Sequence, residues 1–319
     1  MNEEAAGPEI SVVIPIHNEE ANIRPLYDEL NTALAAYGRP YELIFVNDGS
    51  IDGSLEQLKA LPRATVLDLT RRYGQATALN VGFRHAKGDI IVSIDGDRQN
   101  DPADIPMLID ELEGKGLDMV AGWRTNRMDP RRSIKFITRA GRSLRRAILN
   151  DRISDSGCAL RAYRRHAVES LDLQGEMQRY IPALLLWKGY RVGELPINDR
   201  PRTSGVSKYG YDKAVRAFID LLYLWFLHKY SQRPLHLFGY LSLTSFALFL
   251  GSFVITAYDK LELGLHLNRN GWFFLTFFFL IMAIMLFSFG IIIDLLMRIY
   301  HNGSQYEKRY YIRATHVNG

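Results

Sequence analysis

The chain has 319 residues and a formal net charge of +4, with 47% hydrophobic and 23% charged residues. These averages, together with a mean hydropathy of −0.10, exclude a collagen-like, coiled-coil or wholly disordered protein. The one cysteine, Cys158, excludes an intramolecular disulfide framework and a cysteine-rich zinc site. It also favours a reducing compartment for the part of the chain that carries it.

Residues 10–122 alternate short β-branched runs with runs of helical periodicity. Strands are predicted over 10–14, 43–47, 65–69, 89–94 and 119–121, and helices over 22–37, 54–60, 74–86 and 105–115. We expect Pro15 to end the first strand, because proline cannot donate to a sheet. The alternation predicts an α/β fold with a mostly parallel sheet and helices on both faces.

Three polar clusters each follow a predicted strand: PIHNEE at 15–20, NDGS at 47–50 and DGDRQ at 95–99. Ligands of parallel α/β sheets bind beyond the carboxyl ends of the strands, so we expect the clusters to share one rim. Two carboxylates, at Asp95 and Asp97, can face one cation there, and Gln99 can add a neutral oxygen. Such oxygen ligands suit Mg²⁺ or Mn²⁺, although D-x-D alone also suits a solvated turn.

The other two clusters supply candidate ligand contacts. Asp48 can accept a hydrogen bond from a base or a ribose, and it equally suits an Asx turn beside Gly49. Pro15, His17 and Glu19 are expected to form the opposite wall, although Glu19 also suits the start of the following helix. The sequence contains no G-x-G-x-x-G, G-x-x-x-x-G-K-[ST] or H-E-x-x-H string, which disfavours dinucleotide-binding, P-loop and zinc-protease sites.

Two long runs in the last third of the chain, 235–257 and 272–293, contain no Asp, Glu, Lys or Arg. About 20 apolar residues span a bilayer as a helix, so both runs are predicted transmembrane helices, with buried core helices as the alternative. Lys and Arg concentrate outside the hairpin, whose connecting loop has only Lys260 and Arg269. The flanking cations are Lys208, Lys213, Arg216, Lys229 and Arg233 on one side, and Arg298, Lys308, Arg309 and Arg313 on the other. This asymmetry predicts a cytoplasmic-membrane protein with both termini and the catalytic part in the cytoplasm.

The segment 211–234 combines apolar residues at helical spacing with basic and aromatic side chains. It predicts an amphipathic helix in the membrane interface, with packing on the soluble domain as the alternative. The expected organisation is therefore a catalytic domain over 1–210, this helix, a two-span hairpin over 235–297 and a tail over 298–319. No basic, aromatic-interleaved motif indicates a nucleic-acid partner.

Three strings follow one another in the chain: P-x-x-N-E from Pro15, V-x-D-G-S-x-D-G from Val46 and D-x-D-x-Q from Asp95. Their order resembles that of glycosyltransferase family 2, whose members have a GT-A fold. Three later strings are AGWR at 121–124, DSG at 155–157 and R-x-x-G-x-S-K-Y at 202–209. They resemble the polyprenyl-phosphate glycosyltransferases of this family, such as dolichyl-phosphate mannose synthases and bactoprenol glucosyl transferases. RRYGQ at 71–75 and GCALRAYRRH at 157–166 are most similar to undecaprenyl-phosphate 4-deoxy-4-formamido-L-arabinose transferases.

The chain departs from the family pattern at four positions. His17 replaces the usual Tyr, Asn47 the usual first Asp of D-D-G-S, and Gly96 and Arg98 the usual Ala and Leu. The Q-x-x-R-W string of processive polysaccharide synthases is missing, and the nearest segment is 174–180. The missing string and the small number of predicted spans favour a single transfer over polymer extrusion.

The resemblance implies an inverting, metal-dependent transfer of one sugar from a nucleotide sugar to a polyprenyl phosphate of the undecaprenyl type. A UDP-sugar is the first expectation for the donor and GDP-mannose the second, and the sugar stays open. A membrane-anchored nucleotidyltransferase is a less favoured alternative, because no Gly-rich nucleotide signature lies near the first strand. The resemblance also implies a homo-oligomer, with a tetramer as one option.

Site residues follow from the same resemblance. Nucleotide-sugar contacts are implied at Pro15, His17, Glu19, Val46, Asp48, Asp95, Gly96, Arg202 and Lys208, and a Mg²⁺ or Mn²⁺ site at Asp95, Asp97 and Gln99. Acceptor-phosphate contacts are implied at Arg124, Lys135 and Thr138, and catalytic roles at Asp97, Arg124 and Asp155. Asp155 equally suits a turn, and the run 131–146 equally suits a solvated basic helix near anionic lipid.

Overall fold

The structure is a computed structural model that describes residues 7–125, 153–173, 175–200, 222–223, 225–226, 229–230, 233–264, 266–267, 270–302 and 312–317. The chain divides into two units, one of residues 1–221 with 308–319 and one of residues 222–307. Most of the predicted interfacial helix over 211–234 lies outside the described residues. So do four predicted site residues: Lys135, Thr138, Arg202 and Lys208.

The described part of the first unit contains a sheet of eight strands: β1 Ile10–Ile16, β2 Tyr41–Asn47, β3 Ala64–Leu69, β4 Ile90–Ser93, β5 Met119–Arg124, β6 Arg161–Arg164, β7 Val192–Ile197 and β8 Ile312–Val317. Their order is β7-β5-β6-β4-β1-β2-β3-β8. The β4-β1-β2-β3 block and the β5-β7 pair are parallel, whereas β6 and β8 run antiparallel to their neighbours. The mostly parallel sheet confirms the predicted fold class.

Helices cover both faces of this sheet: α1 Glu20–Tyr37, α2 Ser54–Lys59, α3 Gln75–His85, α4 Ile105–Gly114, α5 Arg165–Glu169 and α6 Ile181–Trp187. Apolar residues of α1, α2 and α4 share one core with one face of the sheet, and those of α3, α5 and α6 share a second core with the other face. The period of α1 explains its burial, because Ile23, Leu26, Leu30 and Leu34 recur every three or four residues. Gly38 then ends the helix at a φ of 78°, a left-handed conformation that favours glycine.

The first strand is longer than predicted, because it continues through Pro15 to Ile16. Pairing between β1 and β4 stops at Val13 and Ser93, so the proline nitrogen faces a side of β1 where no further strand residue pairs. On the other side the carbonyl of Ile16 accepts a hydrogen bond from the amide of Asp48 at 2.8 Å. β1 therefore extends alongside β2 to the edge of the sheet where the polar clusters lie.

The sequence did not predict β6, β7, β8, α5 or α6. β8 comes from the segment after the second predicted span, and it pairs antiparallel with β3, from Thr65 with Val317 to Leu69 with Ile312. The C-terminal segment, which was predicted as a tail, therefore supplies the edge strand of the sheet. This strand covers the hydrogen-bonding edge of β3, which would otherwise be open.

The second unit contains two long helices, α7 Pro234–Leu261 and α8 Gly271–Asn302. Both are long and apolar enough to cross a membrane, as predicted, and most of their large apolar side chains are exposed. Hydroxyl groups form a polar seam between them: Thr276 donates to Ser252 Oγ at 3.1 Å, and Ser242 donates to the carbonyl of Ala283 at 2.8 Å. Small polar residues of this kind stabilise helix pairs in lipid.

We expect Gly82→Ala to destabilise the protein, although alanine is normally the better helix residue by about 1 kcal/mol. Gly82 lies in α3 against β1, and a Cβ there would lie 2.2 Å from Cγ1 and 3.3 Å from Cβ of Val13. Overpacking of this kind costs about 1–3 kcal/mol, so a lower Tm is expected for the purified variant in detergent.

Gly114→Ala is the matched control, because it adds the same methyl group at the end of α4 where no atom lies within 4 Å. Its Tm should equal or slightly exceed that of the wild type. Equal Tm values for the Gly82 and Gly114 variants would contradict close packing between α3 and β1.

Candidate active site

The loops that follow β1 and β2 are joined at the edge of the sheet. His17 donates from Nδ1 to the carbonyl of Asp48 at 2.9 Å. The amide of Asn18 donates to the hydroxyl of Ser50 at 3.0 Å, and the amide of Ile51 donates back to Oδ1 of Asn18 at 2.9 Å. Two of the three predicted polar clusters therefore meet, and they place His17 beside the end of β2.

The third cluster packs against the end of β1. A side chain at Gly96 would place its Cβ 2.4 Å from Cδ1 of Ile16 and 3.3 Å from the carbonyl of Pro15. The absence of a Cβ at this position lets the loop after β4 lie directly on β1. All three clusters thus share one rim, as the sequence predicts.

Two nucleotide contacts implied by the resemblance have other partners in the structure. Val46 is fully buried in the core, so its side chain does not face the rim. Glu19 stands at the start of α1, where Oε2 accepts from Nδ2 of Asn22 at 2.6 Å and its amide donates to the hydroxyl of Ser54 at 3.0 Å.

Asp48 joins the loops after β2 and β3. Its two carboxylate oxygens accept hydrogen bonds from the amides of Tyr73 at 2.6 Å and Gly74 at 2.8 Å. Gly49 has a φ of 60°, and a Cβ there would lie 2.5 Å from the main chain of Arg71, so this close approach requires glycine. A carboxylate has about four acceptor positions, and those that the amides leave can face a ligand.

A cleft of about 450 Å³ opens among the loops that follow β1, β2 and β3, and its lining includes His17, Asn47, Asp68 and Arg71. Asn47 and Asp68 are both buried, and Nδ2 of Asn47 donates to Oδ1 of Asp68 at 2.8 Å. The amide of Ser50 donates to Oδ1 of Asn47 at 3.3 Å. Sequence reasoning missed Asp68, because nothing in the local pattern of β3 indicates a partner 21 residues earlier.

Asp95 and Asp97 lie in the loop that follows β4. Gln75 donates from Nε2 to Oδ1 of Asp95 at 2.6 Å, and the amide of Gln99 donates to Oδ1 of Asp97 at 3.1 Å. Burial and the neighbouring charge of Asp97 raise the pKa of Asp95 to about 7. A hydrogen bond therefore helps to orient each carboxylate, and crowding of their charges favours binding of a cation.

The donor set fits a hard divalent ion. Mg²⁺ typically takes one or two protein carboxylates and completes its coordination with substrate phosphates and water. Asp95 and Asp97 supply two carboxylates, and Gln99 lies two residues further on. The described residues include no group of three or more His, Cys, Asp or Glu side chains arranged to hold a metal. This set therefore fits an ion shared with a phosphate ligand better than one held by protein alone.

Arg124 and Asp155, both predicted to be catalytic, form an ion pair with each other. Nε and Nη2 of Arg124 donate to the two carboxylate oxygens at 2.7 and 3.2 Å, and each side chain is 12% exposed. Burial alone lowers the pKa of Arg124, but the hydrogen bond with Asp155 and its charge outweigh burial and raise it. The guanidinium stays protonated, and its remaining N–H groups can bind an anion.

The amide of Gly157 also donates to Asp155, at 3.1 Å from its Oδ1. Asp155 therefore makes the turn contact that the sequence left as the alternative to a catalytic role, and it also pairs with Arg124. Cys158 follows this turn and is fully buried, and burial raises the pKa of its thiol to about 11. A thiol in that environment is a packing residue and a poor nucleophile.

A buried polar network lies behind the acidic loop, and sequence reasoning missed it. Arg161 in β6 is 3% exposed, and it donates to the carbonyls of Gln178 at 2.7 Å and Ser156 at 2.8 Å. Nε2 of Gln178 lies 3.4 Å from Oε1 of Gln75. The charge of Arg161 opposes the rise in the pKa of Asp95. The one sequence signal for it is the RAYR run, which carries no catalytic pattern of its own.

The segment that follows β7 is bound to the acidic loop. The amide of Arg200 donates to the carbonyl of Gln99 at 2.9 Å, and the side chain and amide of Asn198 donate to Asp104 at 2.9 and 2.8 Å. These bonds bring the residues just before the predicted phosphate-binding string, 202–209, to the rim.

Comparisons with known proteins agree with this geometry. Residues 11–172 match the model of glycosyl transferase family 2. The chain is 34% identical over 307 residues to the dodecaprenyl-phosphate galacturonate synthase of Rhizobium johnstonii, covering 94% of this chain and 91% of the relative. It is 33% identical over 316 residues to the undecaprenyl-phosphate 4-deoxy-4-formamido-L-arabinose transferase of Klebsiella pneumoniae, covering 96% and 93%.

Solved structures of glucosyl-3-phosphoglycerate synthase from Mycobacterium tuberculosis share the fold. One, in complex with Mn²⁺, uridine diphosphate and phosphoglyceric acid, has a TM-score of 0.55 at 22% identity and covers 70% of this chain and 79% of that chain. Another, with Mn²⁺ and UDP-glucose, has a TM-score of 0.54 at 24% identity and covers 69% and 79%. The family match over half of the chain, and two relatives above 30% identity over nearly all of it, show that the chain belongs to glycosyl transferase family 2 and is a glycosyltransferase.

Proposed function

We propose that this protein transfers one sugar from a UDP-sugar to a polyprenyl phosphate at the cytoplasmic face of a membrane. The observation that carries the proposal is the single rim that holds the acidic loop, the cleft at the ends of β1 to β3 and the Arg124–Asp155 pair. Support for the acceptor comes from the two relatives, both named for polyprenyl-phosphate sugars. The two apolar helices would keep the enzyme where such a lipid resides.

The donor nucleotide would lie in the cleft beside His17 and above the Asn47–Asp68 pair. This pair offers a carboxylate acceptor and an amide donor at one place, which suits the N–H and carbonyl groups of uracil. The fold neighbours bound to uridine diphosphate add support for this nucleotide. Asp48 would act mainly by fixing the loop of Tyr73 and Gly74 that borders the cleft.

Asp95, Asp97 and Gln99 would hold Mg²⁺ or Mn²⁺ against the donor diphosphate. When bound, the ion supplies positive charge that stabilises the leaving nucleotide diphosphate. Gln75 holds one carboxylate through its 2.6 Å hydrogen bond, and the amide of Gln99 orients the other. The protein therefore presents the carboxylates in a fixed arrangement, and little reorganisation is needed when the donor arrives.

The acceptor needs no strong base. A phosphate monoester has a second pKa of about 6, so near neutral pH it is mostly a dianion and already nucleophilic. One of its oxygens would form the bond to the anomeric carbon while the bond to the diphosphate oxygen breaks, with inversion. Arg124 would hold the acceptor phosphate through its free N–H groups, and Asp155 would position Arg124.

Phosphate contacts at Lys135, Thr138, Arg202 and Lys208 remain part of the proposal from family resemblance, as does the membrane orientation. The cations that flank the two apolar helices outnumber those of the connecting loop, which supports cytoplasmic termini. Burial of a polyprenyl chain is worth about 0.8 kcal/mol per CH₂. The lipid therefore stays in the bilayer, and the rim has to work at the membrane surface.

The direct test is transfer by purified full-length protein in detergent with Mn²⁺ and a short polyprenyl phosphate. The donor panel would contain UDP-galacturonate, UDP-4-deoxy-4-formamido-L-arabinose, UDP-glucose, UDP-N-acetylglucosamine and GDP-mannose. We expect UDP release and a lipid-monophosphate sugar with one or more UDP-sugars. Release of GDP from GDP-mannose alone, or hydrolysis without a lipid product, would overturn the proposal.

We expect Asp97→Asn to lower kcat by about 100-fold or more, because it removes a charge placed to hold the ion that stabilises the leaving group. Asp110→Asn is the control. Asp110 is an exposed residue of α4, and within the described part of the chain its carboxylate accepts a hydrogen bond from the hydroxyl of Tyr37. Tm values in detergent would confirm that both variants fold. A folded Asp97→Asn variant with the kcat of the wild type would contradict the proposed role of Asp97 in metal binding.

A second prediction concerns the floor of the cleft. Asn47→Asp would place two carboxylates at hydrogen-bond distance in a buried position, and an unpaired buried charge costs about 1–3 kcal/mol or more. We expect a lower Tm at pH 7.5 and a smaller thermal shift on addition of UDP.

The exchange variant Asn47→Asp/Asp68→Asn restores one acid and one amide. It should recover most of the Tm and of the UDP-induced shift, because the donor–acceptor pair is re-formed. Additive losses in the double variant would show that the two side chains do not act as a pair.

A further inference from the structure

One carboxylate on α1 binds an arginine of the metal loop, defined here as residues 95–99, and an arginine of the segment that follows β7. Oε1 of Glu29 accepts from Nη2 of Arg98, and Oε2 accepts from Nη1 of Arg200 at 2.6 Å. Nη2 of Arg200 in turn lies 2.7 Å from Oδ2 of Asp101. The four side chains form a chain of alternating charge that ties helix α1 to both sides of the loop.

Arg98 has a backbone conformation that needs such support. Its φ is 61°, in the left-handed region that is unfavourable for residues with a Cβ. Residues held there persist only where the surrounding structure fixes them. The Glu29 and Arg98 side chains are each 27% exposed, so their ion pair is partly shielded from water and is stronger than a fully exposed one.

The conformation of Arg98 determines the geometry of its two neighbours. The left-handed turn at this residue brings the amide of Gln99 to Oδ1 of Asp97 at 3.1 Å. If Arg98 left this conformation, the amide of Gln99 would move away from Asp97, and Asp97 would lose a bond that helps to orient its carboxylate. The link from Glu29 to the metal-binding carboxylate therefore passes through one side chain and one turn.

Arg200 holds the same loop from its other side. Its amide donates to the carbonyl of Gln99 at 2.9 Å, while its guanidinium is shared between Glu29 and Asp101. Without Glu29 the two guanidinium groups would lack their common counter-charge and would repel each other. A released Arg98 could also pair with Asp97 and compete with a cation.

We propose that Glu29 is a positioning residue that keeps the metal loop in its ion-binding geometry by anchoring Arg98 and Arg200. The proposal rests on the proposed function, because it assumes that Asp97 binds the divalent ion. It assigns the effect of Glu29 to metal affinity, with no contact between Glu29 and the reacting atoms.

The test is the Glu29→Gln variant, which keeps the size of the side chain and removes its charge. Free Mn²⁺ would be measured by electron paramagnetic resonance while Mn²⁺ is titrated into purified full-length protein with saturating UDP. Changes to residues behind metal ligands cost about 10–100-fold in affinity, so we expect Kd for Mn²⁺ to rise about tenfold. The Mn²⁺ concentration for half-maximal transfer should rise in parallel, while kcat at saturating Mn²⁺ stays close to wild type.

Asp28→Asn is the matched control. Asp28 neighbours Glu29 on α1, but its ion pair with Arg24 is an exposed i,i+4 contact with side-chain exposures of 61% for Arg24 and 55% for Asp28. Its removal should leave Mn²⁺ affinity unchanged. A Glu29→Gln variant that loses Tm but binds Mn²⁺ like the wild type would show a purely structural role and overturn the proposal.

The double variant Glu29→Gln/Arg98→Leu keeps the test decisive if the single variant is unstable. Because both changes break one linkage, the loss of Mn²⁺ affinity in the double variant should match the larger single loss, and additive losses would contradict the proposal. If the wild type itself bound no Mn²⁺ with UDP, the metal step of the proposed function would fail together with this inference. If the wild type binds Mn²⁺ with UDP and every Glu29 variant binds it equally well, this inference is refuted while the proposed function stands.

Discussion

The crowding of two carboxylates at the carboxyl end of β4 is the constraint on which the rest of the site depends. Burial, and next to it the charge of Asp97, raise the pKa of Asp95. The surrounding protein offsets this cost with a hydrogen bond from Gln75 and with the buried charges of Arg124 and Arg161. The compensation is partial, because the pKa of Asp95 stays raised to about 7. A bound cation would relieve the remaining cost of placing two carboxylates together.

The parallel block of the sheet explains why this acidic pair lies beside a nucleotide-sized cleft. β1 lies between β4 and β2, so the loops that leave these three strands emerge at one edge. The length of β1 matters here, because its extension through Pro15 carries His17 to the carbonyl of Asp48. The helices α7 and α8 add the length and apolar surface that a bilayer requires. One chain therefore contains a polar α/β unit and two apolar helices long enough to span a membrane. Its mean hydropathy of −0.10 is an average over these two unlike parts.

Sequence alone predicted the elements whose signal is local. The strands from β1 to β5 and the helices from α1 to α4 follow from hydrophobic periodicity, and the acidic pair follows from its position after β4. Strand β6 reads RAYR and has no apolar run of its own, so only its pairing with β4 and β5 identifies it. Asp68 and Glu29 could not be found in this way, because their partners lie 21 to 171 residues away. Such contacts form only once the sheet has assembled.

The positions where the chain departs from the usual family residues show how such contacts preserve a site. Asn47 stands against the buried carboxylate of Asp68, where a second acid would leave two like charges in contact. Arg98 pairs with Glu29, which neutralises the guanidinium and helps to hold the residue in its left-handed backbone conformation. Gly96 comes with Ile16, whose Cδ1 occupies the space a methyl group would need. In each case an altered residue has a partner that removes the cost of the change. These departures are therefore better understood as exchanges of one stabilising contact for another than as loss of the site.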